Sequence, residues 1–132
     1  MPFEKDKHFG HGRLKVHTDI YEGMPVLVVV GECDPHSVVA LRAAFDYAVE
    51  NKTTQLIVNI RAMDYIDASG YHALVDGRRR LEEFVGTMVV VDLCPPTERI
   101  IKLLELDALM TIVNTMNQAM LHIKRYPLRP AG

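Results

Sequence analysis

The residues best suited to chemistry stand in two short blocks, Gly31-Glu32-Cys33-Asp34 and Ile66-Asp67-Ala68-Ser69-Gly70. Three kinds of chemistry fit them: Ser69 as a nucleophile, the carboxylates as a metal pocket, or Ser69 as the acceptor of a group delivered by another protein. A serine nucleophile needs a base to take its proton and a third group to orient that base. No Gly-x-Ser-x-Gly elbow is present, and His72 follows Ser69 along what reads as one helix, where its ring is badly placed for that task. The chain is therefore expected not to be an enzyme, and no residue is assigned a catalytic role.

A metal reading fares no better. Asp34 and Asp67 invite comparison with a magnesium pocket for an aspartyl phosphate, as in response-regulator receivers. Receivers need an acidic pair after the first strand and a lysine after the last. Here the first strand ends Ile20-Tyr21, and Met110 to Thr115 contains no lysine. There is no Gly-x-x-x-x-Gly-Lys or Gly-x-Gly-x-x-Gly loop for a nucleotide. His8 and His11 lie close together without a carboxylate or thiolate partner, and the isolated Cys33 and Cys94 are expected to be reduced thiols. No metal and no cofactor is expected.

The elements that must position these blocks follow from periodicity. Leu14 to Tyr21 alternates, which predicts a half-buried strand. Glu22-Gly23-Met24-Pro25 turns the chain, and Val26 to Val30 is apolar throughout, as in a strand covered on both faces. Asp34 reads as an N-cap, with Pro35 at the first position of a helix running to about Asn51. Its buried stripe is Val38, Leu41, Phe45, Ala48 and Val49. Leu56 to Ile60 predicts a second buried strand. Met63 to Tyr71 reads as the turn that hands it to a helix from about Gly70 to Phe84, with Arg78 at the rim of its inner face. Thr87 to Leu93 predicts a further strand. Pro95-Pro96-Thr97-Glu98 starts a short helix, Met110 to Val113 is a last strand, and Asn114 to Lys124 a last helix with Met116, Met120 and Ile123 inward.

Strands alternating with helices predict an α/β domain whose mixed, mainly parallel β-sheet is opened by a hairpin and flanked by about four helices. The expected division is a flexible leader over 1–12, a domain over 13–125 and a tail over 126–132. At 132 residues with 48% hydrophobic and 24% charged side chains, one soluble domain suffices. A formal charge of -2 gives no case for nucleic acid, and Arg78-Arg79-Arg80 beside Glu82 and Glu83 reads as a solvated face. Neither a signal peptide nor a membrane span of about 18 apolar residues is present, so the protein is expected in the cytoplasm.

Right-handed crossovers place the loops after parallel strands on one edge of the sheet, so Asp34, Asp67 and Ser69 are expected to share a small surface. Ser69 near the first N–H groups of a helix stands where a hydroxyl, or a phosphate on it, is well received. It is equally a residue type favoured at helix starts for local reasons, as is Asp34.

The two blocks, with Val89-Val90-Val91-Asp92-Leu93 running into Pro96-Thr97-Glu98-Arg99-Ile100 and then Leu104-Glu105-Leu106-Asp107, resemble the STAS domain over about Leu14 to Asn114. More narrowly they resemble bacterial anti-sigma factor antagonists. The resemblance implies a STAS fold and a non-enzymatic regulator, a monomer or weak homodimer. Such a protein binds an anti-sigma factor with serine kinase activity and lets go when phosphorylated, until a serine phosphatase restores it. Carried over by position, the phosphorylated residue is Ser69, and the partner surface comprises Asp34, Asp67, Ala68, Gly70, Tyr71 and His72. Cys33 stands where a leucine is usual, Ala68 where a hydroxyl residue is common and His72 where a small residue is frequent. Related STAS domains also act as scaffolds of stressosomes or subunits of lipid-transport complexes, without a phosphate switch.

Overall fold

The six strands form one sheet because the run of apolar strands can bury both its faces. Its order is β1 (His8–His11), β2 (Leu14–Tyr21), β3 (Met24–Cys33), β4 (Gln55–Ile66), β5 (Thr87–Val91) and β6 (Thr111–Val113). The computed structural model describes residues 2–83, 86–91, 99, 102, 103, 105 and 109–125. β1, β2 and β3 are antiparallel neighbours, while β3 to β6 run parallel, so the sheet is mixed and mainly parallel as expected. Three helices are described: α1 (Val38–Glu50), α2 (Ala68–Glu82) and α3 (Met116–Arg125). Of the short helix expected after Pro96, only Arg99, Lys102 and Leu103 are described, and these are helical; the rest of it, Phe84 and Asp92 lie outside the described residues.

The two faces of the sheet carry separate cores. On one, α1 and α2 press Leu41, Phe45, Leu74 and Leu81 against Leu27, Val29, Leu56, Val58 and Val90. On the other, Ala119, Met120 and Ile123 of α3 cover Val26, Ile57, Val89 and Val91. Alternate residues of β3 and β4 point to opposite cores, which is why both strands read as unbroken apolar runs.

Two expectations are corrected. The leader is not separate from the sheet: His8–His11 form β1, and the segment before it is tied down. Phe3 and Phe9 pack on the Tyr47 ring of α1, at centroid distances of 5.5 and 5.7 Å. The buried Thr18 hydroxyl donates to the Glu4 carbonyl at 2.6 Å and accepts from the Lys7 N–H at 2.9 Å. Three aromatic rings and a buried hydroxyl hold what composition alone marks as a loose, Gly-containing start. Secondly, β4 runs on to Ile66, so Met63-Asp64-Tyr65 is strand rather than turn. Its pairing with β3 slips between Val28 and Val30 and again between Gly31 and Glu32. Each slip inserts an extra residue into β4, and such bulges destroy the period of two by which a strand is recognised.

The contact between α1 and α2 sets the geometry of the site. A Cβ on Gly77 would stand 2.5 Å from Cε1 of Phe45, whose ring is itself buried. Only glycine lets the helices approach this closely. Two ion pairs flank the contact, Arg42 to Asp76 at 2.9 Å and Arg80 to Asp46 at 2.5 Å. Both are about half exposed, so each contributes at most about 1 kcal/mol. Gly77→Ala therefore separates two effects. Helix propensity favours alanine by about 1 kcal/mol, whereas overpacking a fixed ring costs about 1–3 kcal/mol. Urea unfolding is expected to show a net loss of about 1 kcal/mol, and a gain in stability would mean that the helices can move apart.

Candidate functional site

The chain enters α2 through a single residue. Asp67 is extended, with φ -109° and ψ -170°, and one of its carboxylate oxygens, Oδ1, serves the whole first turn. It accepts from the Ser69 N–H at 2.9 Å, from the Gly70 N–H at 3.3 Å and from the Ser69 hydroxyl at 2.5 Å. The Tyr71 N–H then donates to the Asp67 carbonyl at 3.1 Å, the first bond of the regular helix. Asp67 is thus the cap, and the Ser69 side chain is not. Ser69 is half-buried, and Ala68 and His72 on either side of it are exposed.

A second acidic turn stands beside the first. Asp34 Oδ1 accepts from the N–H groups of His36 and Ser37 at 2.9 and 2.8 Å, while Ser37 Oγ accepts from the Asp34 N–H at 3.0 Å and donates to the Glu32 carbonyl at 2.7 Å. This is a reciprocal capping box in which Asp and Ser have exchanged their usual places. The regular helix begins at Val38, later than Pro35 as expected, because the Asp34 to Ser37 segment forms this closed turn first. The Ser37 N–H and hydroxyl and the His36 N–H favour the ionised carboxylate and lower the pKa of Asp34.

The two turns belong to one surface. Cys33 and Ile66 are register partners at the carboxyl ends of β3 and β4, and the Asp67 N–H donates to the Cys33 carbonyl at 3.2 Å. Both interhelical ion pairs join residues 34 positions apart. Extended by one helical turn, that constant offset sets Val38 level with His72. The expectation that Asp34, Asp67 and Ser69 share a small surface is met by this packing.

Two of the expected partner contacts are corrected. Gly70 is buried, and a Cβ there would meet Cγ1 of Ile66 at 2.5 Å and Sγ of Cys33 at 2.9 Å. Tyr71, 1% exposed, is a core residue against which the helix is anchored. Both hold α2 to the sheet and are not presented at the surface. Cys33 lies beneath the site, its thiol pushed up to about 12 by burial and then by the charges of Asp67 and Asp34. At neutral pH it is a protonated packing group, not a nucleophile. Among the described residues no three His, Cys, Asp or Glu side chains converge as a metal site. Two exposed apolar side chains escaped the sequence reading, Val39 on α1 and Tyr65 two residues before Asp67, each 49% exposed. Val39 was detectable in principle, since it falls off the stripe that its neighbour Val38 belongs to.

The capping box makes acid stability dependent on Asp34. Its folded pKa is lowered, so its contribution is present above the ordinary carboxylate range near 3.9 and is lost as pH falls through the folded value. Urea unfolding of the parent and of Asp34→Asn is expected to show a parent advantage at pH 6 that shrinks below about pH 4. A constant difference across that range would show that the carboxylate charge is not what the turn uses.

Comparison with known proteins places this arrangement. An anti-sigma F factor antagonist of Paenibacillus polymyxa is 20% identical over 112 residues, covering 84% of this chain and 96% of its own. The crystal structure of an anti-sigma factor antagonist from Mycobacterium paratuberculosis superposes with a TM-score of 0.77 at 24% identity, covering 84% of this chain and 94% of that one. SpoIIAA of Bacillus in its phosphorylated form gives 0.61 at 22% identity, covering 82% and 98%. These structural likenesses establish the fold, and the pattern of the STAS domain matches residues 15–119. By its own residues and by that match, the chain belongs to the STAS domain family.

Proposed function

We propose that this protein is an anti-sigma factor antagonist, a non-enzymatic partner-switching regulator that acts in the cytoplasm as a monomer or weak homodimer. Its partner is an anti-sigma factor with serine kinase activity. With Ser69 unmodified the two bind; the partner transfers phosphate to Ser69 and releases it, and a serine phosphatase reverses the step. One observation carries the reading: the cap of α2 is supplied by Asp67, so the half-exposed Ser69 hydroxyl is not needed to hold the helix. A hydroxyl that is partly exposed, bonds only the Asp67 carboxylate and lies on a helical turn with exposed Ala68 and His72 is suited to modification within a docking surface.

The energetics are adequate. Phosphoserine adds about -1.5 to -2 charges, and a charge left unpaired in an interface costs several kcal/mol. Changing a bound population by about 10²-fold to 10⁴-fold needs about 2.7 to 5.5 kcal/mol.

Incubation with the cognate kinase and ATP is expected to add one phosphate, absent from Ser69→Ala by mass spectrometry; phosphate on another residue would remove Ser69 from the mechanism. In a binding titration, Ser69→Ala should hold the partner and Ser69→Glu should bind it at least about tenfold more weakly, a change of about 1.4 kcal/mol. Equal affinities would argue against an electrostatic switch.

A further inference from the structure

A phosphate on Ser69 would enter a poor electrostatic environment. Asp67 Oδ1 already lies 2.5 Å from the hydroxyl, and Asp34 directly follows Cys33, whose carbonyl accepts from the Asp67 N–H. Among the described residues, the charged and titratable groups that face this end of α2 are few. From the β3–α1 turn come Asp34 and His36, the latter with its ring 4.5 Å from that of His11. Glu32 is engaged with Arg13 at 3.2 Å. From α1 comes Arg42, paired to Asp76 and seven residues beyond the level of Ser69, or about 10.5 Å along the axis. From α2 itself comes His72.

We infer that His72 is the counter-charge of phosphorylated Ser69, a residue that pairs with the phosphate and holds it against the acidic turns. The inference rests on the reading of Ser69 as the modified residue. Residues three apart on a helix are neighbours, with Cβ atoms about 5–6 Å apart. Helical side chains lean toward the N-terminus, so the surface that the His72 ring covers is the turn containing Ser69. His72 is exposed and Ser69 half-buried, which leaves the ring free to fold over a group attached to that hydroxyl.

The pairing has a definite pH range. Free imidazole titrates near 6.5 and the second ionisation of phosphoserine near 6. Placed side by side, the dianion raises the pKa of the imidazole and the imidazolium lowers that of the phosphate. The ion pair is complete between the two shifted values and is lost as pH rises through the raised value of His72.

The test needs no partner. Protein carrying phosphoserine at position 69, made by encoded incorporation, and the unmodified protein are titrated by NMR over about pH 5–9, with the His72 signal assigned by its loss in His72→Gln. The imidazole of His72 is expected to titrate about half a unit or more higher in the phosphorylated protein, and the phosphorus resonance correspondingly lower than in His72→Gln. His72→Lys should keep the phosphate value low across the range. A His72 titration unmoved by the phosphate, or a phosphorus titration the same in the parent and His72→Gln, would overturn the inference. Either result leaves partner release by Ser69 untouched, and a failure of partner release would leave these titrations unchanged, so the two readings fail separately.

Discussion

The ring of Phe45 occupies the space that a side chain on Gly77 would need, and the rest of the site depends on that contact. It brings α1 and α2 to a separation that no larger residue at position 77 permits. The ion pairs on either side of it, Arg42–Asp76 and Asp46–Arg80, then fix the helices in parallel with a constant offset. Half-exposed pairs add little stability, but they distinguish one register from the next because a shift of one turn would set Arg42 against Arg80 or Asp46 against Asp76. A helix that cannot slide carries its N-terminus to one place. The level of Ser69 against Asp34 is therefore set two turns away from either residue.

At that place the backbone imposes a second demand. Two parallel strands end side by side and each leads to a helical turn, so two sets of N–H groups without helical partners are brought together. An aspartate answers each of them: Asp67 through one oxygen with three donors, Asp34 through a box closed by Ser37. The acidity of the surface is thus a by-product of capping. Below it, small or tightly packed groups are required where the turns meet the sheet. Gly70 against Ile66 and Cys33 meets that need, and so does a cysteine whose burial keeps it protonated.

Much of this was legible in the residues. Leu14 to Tyr21 was readable to the residue because its alternation is regular and its hairpin turn, Glu22-Gly23, carries positive φ at both positions, 48° and 80°. Asp34 was readable as a helix start because capping is a local event, whereas the cap of α2 is Asp67 and not the Ser69 that the residues offered. What escaped has non-local causes. β1 is held by Tyr47 and Thr18, far away in the chain, and its own four residues, His-Phe-Gly-His, have no strand period to show. The far half of β4 hides behind two bulges. Gly70 and Tyr71 adjoin Ser69 in sequence and were grouped with it at the surface, but helical rotation turns them toward the sheet. Contiguity in a motif is a poor guide to exposure once the motif is helical, since neighbouring residues differ by about 100° around the axis.

Whether Ser69 caps α2, which the residues alone left open, is answered by how the donors are shared: Asp67 is the cap. Had Ser69 capped α2, a phosphate on it would have altered the helix start, and modification would have competed with folding. Because Asp67 takes the N–H groups of Ser69 and Gly70, the first turn keeps its bonds whatever the hydroxyl carries. On the proposed function, the free energy of a phosphate there is spent at the surface, against a docked partner, and not against the fold. That separation lets one residue change a protein's associations while its structure stays the same. It also places the stability of the site and its regulation on different side chains, Asp67 for the former and Ser69 with its exposed neighbours for the latter.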